Sequence, residues 1–224
     1  MMDVSTLTPW LESFEDAVRE TFGPELVFLG LQGSYARGEA TQDSDIDVVV
    51  VLEELGPGPL ARYRALLDGL PQREKVCGFL SSRAVLSAWE GGDRFQFYYD
   101  TLPLLGRLED LFPVPGPEEA RRAVQAGACG LYHACCHNLL HGRDPQVLAE
   151  LFKSAAFTVQ ALHFLRTGVY VRRRAELLPL LPPEDRAILE GRAQALSPEG
   201  GVPFDALSQR LLDWSARQIT NTAP

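Results

Sequence analysis

Residues 33–38 read Gly-Ser-Tyr-Ala-Arg-Gly and lie between two apolar runs, Leu-Val-Phe-Leu-Gly-Leu at 26–31 and Val-Val-Val-Val-Leu at 48–52. The second run is rich in valine and far too short to span a membrane, which favours a buried strand. The pattern therefore predicts a strand, a glycine turn with a short polar helix or loop, and a second strand.

Two carboxylates stand at the entry to the second strand, in the sequence Asp43-Ser44-Asp45-Ile46-Asp47. Side chains alternate along a strand, so Asp45 and Asp47 leave the same face. Like charges side by side stay ionised most easily when a cation lies between them, and carboxylate oxygens suit Mg²⁺. Gly33 allows a close backbone approach, and Ser34 supplies a hydroxyl group for a phosphate. The stretch predicts one site for a metal–nucleotide complex.

This combination resembles the nucleotidyltransferase superfamily, which includes DNA polymerase β and kanamycin nucleotidyltransferase. The family pattern is present as Gly33-Ser34, Arg37-Gly38 and Asp45-Ile46-Asp47. The resemblance implies Mg²⁺-dependent transfer of a nucleoside monophosphate, with the two aspartates as catalytic metal ligands. It places Gly33, Ser34 and Arg37 at the phosphates. The alternative is a glycine turn followed by a strand that happens to have an acidic entry.

Composition limits the class of partner. The chain has 224 residues, is 46% hydrophobic and carries a net charge of -9. A net negative charge disfavours nucleic acid, because phosphate backbones need a positive surface. A nucleoside triphosphate with a small-molecule or protein acceptor fits better. We expect no signal peptide and no membrane span, a cytoplasmic location, and four free cysteine thiols.

A proline-rich segment, Pro-Val-Pro-Gly-Pro at 113–117, divides the chain. Strand signals stop after it. The sequence therefore predicts an α/β (α+β) nucleotidyltransferase domain with a small mixed sheet at 1–112, a linker at 113–117, and an all-α helical bundle at 118–224. In the first part we expect a helix starting at Thr8-Pro9, a loop at 56–59, a helix at 60–70, a strand at 75–80 and a short helix near 85–89. In the second we expect helices at 118–141, 145–167, 172–181, 183–196 and 204–218, with a loop at 197–201.

The superfamily usually adds a third carboxylate on a later strand, but the predicted third strand contains no acidic residue. A general base must then come from elsewhere. Asp100 is the best candidate because it follows the aromatic stretch Gln96-Phe97-Tyr98-Tyr99, where partial desolvation would raise the pKa of a carboxyl group. The equally weighted alternative is a helix cap, since Asp100 stands just before Thr101-Leu102-Pro103.

Several basic residues in the second half have two interpretations each. Lys153 lies in an apolar helix and is predicted either to contact the triphosphate or to snorkel at the surface. The cluster 172–174 (Arg-Arg-Arg) is a phosphate clamp or a solvated helix start. His133, His137 and His141 fall on one helical stripe, which is a wet face, a face toward the nucleotide, or a metal site. The Arg-x4–6-His motif of the HEPN ribonucleases is absent.

The sequence thus predicts an enzyme that transfers AMP from ATP, with Mg²⁺, onto a hydroxyl group of an aminoglycoside-like or lincosamide-like compound. Two alternatives remain: an antitoxin-type enzyme that adenylylates a protein, and a degenerate nucleotide-binding module without turnover. The sequence does not distinguish a monomer from a homodimer.

Overall fold

The computed structural model describes residues 4–197 and 202–222. Its contacts divide the chain into two compact units. Unit 1 runs to Glu90 and resumes at Phe97–Val114, and unit 2 comprises Gly91–Gln96 and the chain from Pro115 onward. The helix Gly91–Asp100 contributes residues to both units. The division made from the sequence, 1–112 and 118–224, stays a prediction.

Unit 1 is built on a four-stranded mixed sheet. Its helices and strands are α1 (Val4–Phe22), β1 (Leu26–Leu31), α2 (Gly33–Arg37), β2 (Ile46–Leu52), α3 (Pro57–Asp68), β3 (Val76–Ser82), α4 (Arg83–Ser87), the end of α5 (Gly91–Asp100) and β4 (Leu102–Leu105). The strand order is β3-β2-β1-β4. β1 pairs antiparallel with β2 and β4, whereas β2 and β3 are parallel. The predicted mixed sheet is confirmed.

Both faces of β2 are covered, which explains its uninterrupted valine run. Val48 and Val50 pack into a core that includes the buried α1 residues Phe14 and Val18. The odd-numbered valines of β2 pack on the opposite face, in a second core that contains Phe97 and Leu108. Full burial of a side chain of this size contributes about 1.5–3 kcal/mol, so β2 is a rigid support for the residues at its entry.

Two predicted helix starts are wrong. α1 begins at Val4 and passes through Pro9, so Thr8-Pro9 does not start it. Among the described residues, only five helical positions precede the proline, whose ring removes a single hydrogen bond in this first part of the helix. α3 begins at Pro57, inside the predicted loop 56–59, because proline is favoured at the first helical position and Gly56 acts as the N-cap.

The aromatic stretch after residue 90 forms α5 and leads directly into β4, a strand that the sequence did not reveal. Pro103 lies in this strand, and proline normally argues against one. It is tolerated because β4 is the edge strand next to β1. The helix-cap interpretation of Asp100 is wrong, since Asp100 is the last residue of α5 and a strand follows it.

Unit 2 is helical, as predicted. Besides the start of α5 it contains α6 (Pro117–His137), a wider turn of π-helix at Asn138–Gly142, α7 (Pro145–Thr167), α8 (Arg174–Leu177), a 3-10 turn at Leu178–Leu180, α9 (Pro183–Ala195) and α10 (Phe204–Thr222). The predicted bounds of α7 are confirmed. The helix predicted at 172–181 is shorter because Pro179 interrupts it. From residue 198 the loop predicted at 197–201 lies outside the described residues.

Two further expectations can be compared with the structure. The four cysteines are free thiols, as predicted. Within residues 4–197 and 202–222, no helix has the length and apolar character needed to cross a membrane.

Candidate functional site

The predicted glycine turn lies against the start of β2. The backbone N–H of Gln32 donates to the carbonyl oxygen of Asp47 over 2.7 Å. Gly33 follows with a φ of +68°, and a Cβ atom at this position would lie 1.9 Å from Oδ2 of Asp47. No side chain fits in that space, so Gly33 is required both by its backbone angle and by the carboxylate beside it.

α2 presents Ser34 while its neighbour anchors the helix. Tyr35 is buried in the same core as α1. Ser34 is half-buried, and its hydroxyl group makes no hydrogen bond with another described residue. The helix ends at Gly38, whose N–H bonds to the carbonyl oxygens of Ser34 and Tyr35. The arrangement fixes the backbone of Ser34 and leaves its hydroxyl group available for a ligand.

The two aspartates of the Asp-x-Asp motif differ in their surroundings. Asp47 is the second residue of β2 and is half-buried, whereas Asp45 precedes the strand and is exposed. Ile46 between them is fully buried in the core on the α1 side. Because side chains alternate along a strand, the carboxylates of Asp45 and Asp47 lie on the opposite side of the strand from Ile46.

Arg37 and Asp100, predicted separately as a phosphate contact and a base, form an ion pair. Nη1 of Arg37 donates to both carboxylate oxygens of Asp100, over 3.0 and 3.1 Å, and both residues are less than one-tenth exposed. Nε of Arg37 also donates to Glu39 over 3.2 Å. Burial by itself would lower the pKa of Arg37, but the charges and hydrogen bonds of Asp100 and Glu39 outweigh it and the pKa is raised. The guanidinium group is therefore a permanent cation beside the turn.

A second link joins α5 to the turn, through two residues that the sequence did not single out. Nε2 of Gln32 donates to Oγ1 of Thr101 over 2.7 Å, and this hydroxyl group donates to the carbonyl oxygen of Phe97. The only sequence signal for them is their position, directly before Gly33 and directly after Asp100. Unit 1 thus contains the predicted metal, phosphate and base residues of the motif and α5, whereas Lys153, the arginine cluster 172–174 and the histidine stripe lie in unit 2.

Comparison with known proteins agrees with this geometry. The model of the nucleotidyltransferase domain family matches residues 11–115, which include the whole constellation. Residues 11–115 are a nucleotidyltransferase domain.

Two relatives are similar in sequence over part of the chain. A candidate protein adenylyltransferase, MJ1305 of Methanocaldococcus jannaschii, is 36% identical over 67 residues, which is 30% of this chain and 46% of that protein. The protein adenylyltransferase MntA of Thermococcus cleftensis is 38% identical over 55 residues, 25% of this chain and 54% of that protein. The chain thus spans about half the length of the curated relatives it matches.

A solved structure is similar over nearly the whole chain. It is the spectinomycin adenyltransferase AAD(9) from Enterococcus faecialis, crystallised with ATP and spectinomycin. The likeness has a TM-score of 0.56 at 12% identity and covers 95% of this chain and 99% of that one. At this identity it shows a shared fold, which includes the helices of unit 2.

The nucleotidyltransferase domain departs from its superfamily on β3. The strand register sets Asp47 opposite Cys77, and β3 carries no acidic residue from Val76 to Ser82. Among residues 4–197 and 202–222, no group of three or more His, Cys, Asp and Glu side chains is placed to hold a metal ion. A metal here would have the two aspartates and its own substrate and water as ligands.

The remaining predicted residues lie in unit 2. Lys153 is half-exposed on α7, and its ammonium group pairs with Glu150 at 3.2 Å. Its contact with a triphosphate stays a prediction. The rings of His137 and His141 have centroids 4.7 Å apart. These histidines belong to the described residues, in which no group of three or more possible metal ligands occurs. His133, His137 and His141 therefore do not form a three-ligand metal site.

Proposed function

We propose that the chain transfers AMP from ATP to a hydroxyl group of a small-molecule acceptor, with Mg²⁺ bound at Asp45 and Asp47. The observation that carries the proposal is the contact between Gly33 and Asp47. The carboxylate occupies the space in which any other residue would place its Cβ atom. This contact joins the glycine turn, a feature suited to phosphate, to a carboxylate suited to a cation.

The residues present fit a magnesium ion. Mg²⁺ usually binds through one or two carboxylates and completes its octahedron with substrate phosphates and water. Asp45 and Asp47 supply that number, so the lack of a third protein ligand does not argue against it. When bound, the ion would neutralise the negative charge that develops on the leaving pyrophosphate.

The protein groups around the two aspartates have separate tasks. The Ser34 hydroxyl group donates a hydrogen bond to a phosphate oxygen. Arg37 keeps its positive charge at every ordinary pH because its pKa is raised, and its ion pairs with Asp100 and Glu39 hold α2 beside the turn. In the reaction the acceptor oxygen bonds to the α-phosphorus, the bond from that phosphorus to the bridging oxygen breaks, and pyrophosphate leaves. The hydroxyl proton passes to a base.

Two roles for Asp100 follow from its pairing with Arg37. As a general base it would take the proton of the acceptor hydroxyl group. However, the carboxylate of Asp100 already accepts two hydrogen bonds from Nη1 of Arg37, which it would have to share with or give up for that proton. The alternative is a positioning role, in which Asp100 fixes Arg37 and, through Arg37, the short helix α2.

The small-molecule acceptor is supported by the fold. The likeness to the spectinomycin adenyltransferase extends over 95% of this chain, well beyond the nucleotidyltransferase domain. A protein acceptor is the second candidate, supported by the sequence similarity to two protein adenylyltransferases. A module that binds nucleotide without turnover is the third.

One assay separates the three candidates. The purified chain is incubated with Mg²⁺ and ATP labelled at the α-phosphate, alone, with spectinomycin and a lincosamide, and with a host cell extract. Labelled small product and pyrophosphate release support the proposal, and labelled protein favours the second candidate. Calorimetric binding of Mg·ATP with neither product favours the third. The matched control is Asp47→Asn, which must lose any label transfer.

A further inference from the structure

Unit 2 contains a cavity of about 570 Å³ between the first half of α5, α6, α7 and the segment after α7. Every lining residue belongs to unit 2. The volume lies within the range of pockets that hold drug-sized ligands. None of the residues assigned above to metal or phosphate lines it, so the nucleotide site does not account for it.

The walls of this cavity are mostly apolar and aromatic. Phe95, only 1% exposed, packs edge-on against Phe164 and Tyr170, with ring centroids 5.1 and 5.9 Å apart. Phe157 and Leu131 add further apolar surface. A ligand would have to bring an apolar body to gain from burial here.

The wall formed by Tyr170 is held in place before any ligand binds. Gln160 is fully buried, and its side-chain Nε2 donates to the carbonyl oxygens of Val171 and Arg172 over 3.0 and 2.9 Å. The chain leaves α7 at Gly168, whose N–H bonds to the carbonyl oxygen of Phe164. A preformed wall reduces the entropy cost of binding.

The lining carries a single charged side chain, Asp93. Asp93 is exposed at the mouth of the cavity and makes no hydrogen bond or ion pair with another described residue. Of the residues that the structure describes, no Lys, Arg or His lines the cavity. A triphosphate would therefore find no positively charged partner in the lining, although Arg174 lies over the Phe157 ring, whereas one ammonium group would find a partner in Asp93. Several ammonium groups would not, and each unpaired charge would lose hydration without compensation.

We propose that this cavity binds an amphiphilic monocation, a molecule with an apolar body and one amine. The walls select the apolar body, Asp93 selects the single positive charge, and the hydroxyl groups of Ser154 and Thr158 in the lining offer hydrogen bonds. Polycationic, fully polar aminoglycosides are the wrong class for these walls.

Gly130 offers a way to fill the cavity without disturbing the fold. It is exposed where α6 borders the open side of the cavity, and a Cβ atom there would meet no atom within 4 Å. Gly130→Leu therefore places a large side chain in open space, and Gly130→Ala is its matched control. Both changes favour the helix, since alanine and leucine are better helix formers than glycine. Gly127 is unsuitable because a Cβ atom there would lie 2.3 Å from Oγ1 of Thr158.

The test measures binding by calorimetry to the full chain without nucleotide. The probes share an indole ring and differ in charge: tryptamine (cation), tryptophol (neutral) and indole-3-acetate (anion). We expect tryptamine to bind best, with a Kd of about 1 mM or below, as its size suggests. Gly130→Leu should weaken it at least tenfold and Gly130→Ala less than twofold. Equal binding to wild type and Gly130→Leu, no saturable binding of tryptamine, or tighter binding of indole-3-acetate or kanamycin would overturn the proposal.

A second variant tests the charge. In Asp93→Asn the preference for tryptamine over tryptophol should fall by about two- to fivefold, as expected for an exposed ion pair. An unchanged preference would overturn the role of Asp93. Binding of Mg·ATP should be the same in wild type and Gly130→Leu. The proposal for the cavity and the proposal for the nucleotide site can therefore be tested separately.

Discussion

Among the described residues, each unit contains one buried aspartate paired with an arginine, and the two pairs are built differently. In unit 2, Asp185 is 0% exposed and joins three helices: Arg166 of α7 and Nε1 of Trp214 on α10 both donate to it, and it lies on α9 itself. In unit 1, Asp100 accepts hydrogen bonds from Arg37, which lies on α2, the five-residue helix that starts at the glycine turn.

The difference separates a structural pair from one that bears on a site. Asp185 links long helices that have their own buried faces, so its charge acts on the stability of the bundle. α2 is too short to be stable alone, and its position depends on Tyr35 beneath it and on the Arg37–Asp100 pair. Any change at Asp100 therefore reaches Ser34 and Gly33, whereas a change at Asp185 should leave the nucleotide site alone.

The largest effect is expected at Asp47, which belongs to the proposed nucleotide site and to neither of the two arginine pairs. Asp47→Asn removes a proposed metal ligand beside Gly33 while keeping the size of the side chain. Transfer should fall by at least about a thousandfold, because metal-ion catalysis supplies several kcal/mol of charge stabilisation. Mg²⁺-dependent binding of ATP, measured by calorimetry, should disappear while the circular dichroism spectrum is kept. Unchanged Mg·ATP binding would remove Asp47 from the site.

The second prediction compares the two pairs directly, through Asp100→Asn and Asp185→Asn. Both remove one negative charge next to an arginine and keep a hydrogen-bond acceptor. Asp100→Asn should lower kcat by about 10²–10⁴ if Asp100 is the base. Asp185→Asn should lower the melting temperature and leave kcat and nucleotide affinity unchanged.

The readouts of Asp100→Asn also distinguish its two roles. Loss of a base lowers kcat, removes the acidic limb of the pH profile and keeps the affinity for ATP. Loss of a positioning group weakens ATP binding as well, because Arg37 and α2 shift together. Full turnover in a folded Asp100→Asn protein would contradict both roles, and reduced turnover in Asp185→Asn would erase the contrast between the pairs.

Local signals made part of this structure predictable. β1 was predicted over its full length because the apolar run is bounded by polar residues and glycine. α7 was predicted between Pro145 and Thr167 because proline favours the first helical position and Gly168 the end. The glycine, serine and aspartates of the motif could be assigned to one site because they lie within 15 residues on consecutive elements.

The contacts that complete the site could not be found in this way. Arg37 and Asp100 are 63 residues apart, and Gln32 and Thr101 are 69 apart. Each pair forms only because β4 pairs with β1. The sequence did not predict β4, because it contains Pro103, which is tolerated only at the edge of the sheet. A local pattern carries no information on such a pairing. The same holds for the cavity of unit 2, whose walls come from helices distant in sequence.

The third prediction concerns the residue that the Arg37–Asp100 pair helps to position. Ser34→Ala removes a hydroxyl group that has no partner among the described residues, so the fold should lose little stability. Binding of Mg·ATP should weaken by about 1.5–3 kcal/mol, the usual contribution of a hydrogen bond to a charged group. Ser13→Ala on the exposed face of α1 is the matched control and should bind normally. Equal affinities of the two variants would place the phosphates elsewhere.

The smallest expected effect is a pH dependence confined to the pair in unit 2. His163 lies near Arg166 and Asp185, whereas no histidine lies in unit 1. Burial lowers the pKa of His163, the charge of Arg166 lowers it further, and Asp185 opposes them. As the pH falls below about 6.5, the unfolded chain therefore takes up a proton that the folded chain resists. Stability is full above that pH and declines below it.

Thermal unfolding at pH 7.5 and 5.5 measures this decline, and His163→Gln should reduce it. Glu25 and Glu109 contribute outside this window. The hydrogen bond from Arg62 lowers the pKa of Glu25, and that from Tyr98 lowers the pKa of Glu109, so their contributions are lost only below about pH 4.5. Asp185→Asn should steepen the decline, because it removes the negative charge that favours the protonated imidazole. An identical pH dependence in wild type and His163→Gln would show that the imidazole is not the titrating group, and the two pairs would then differ only in geometry.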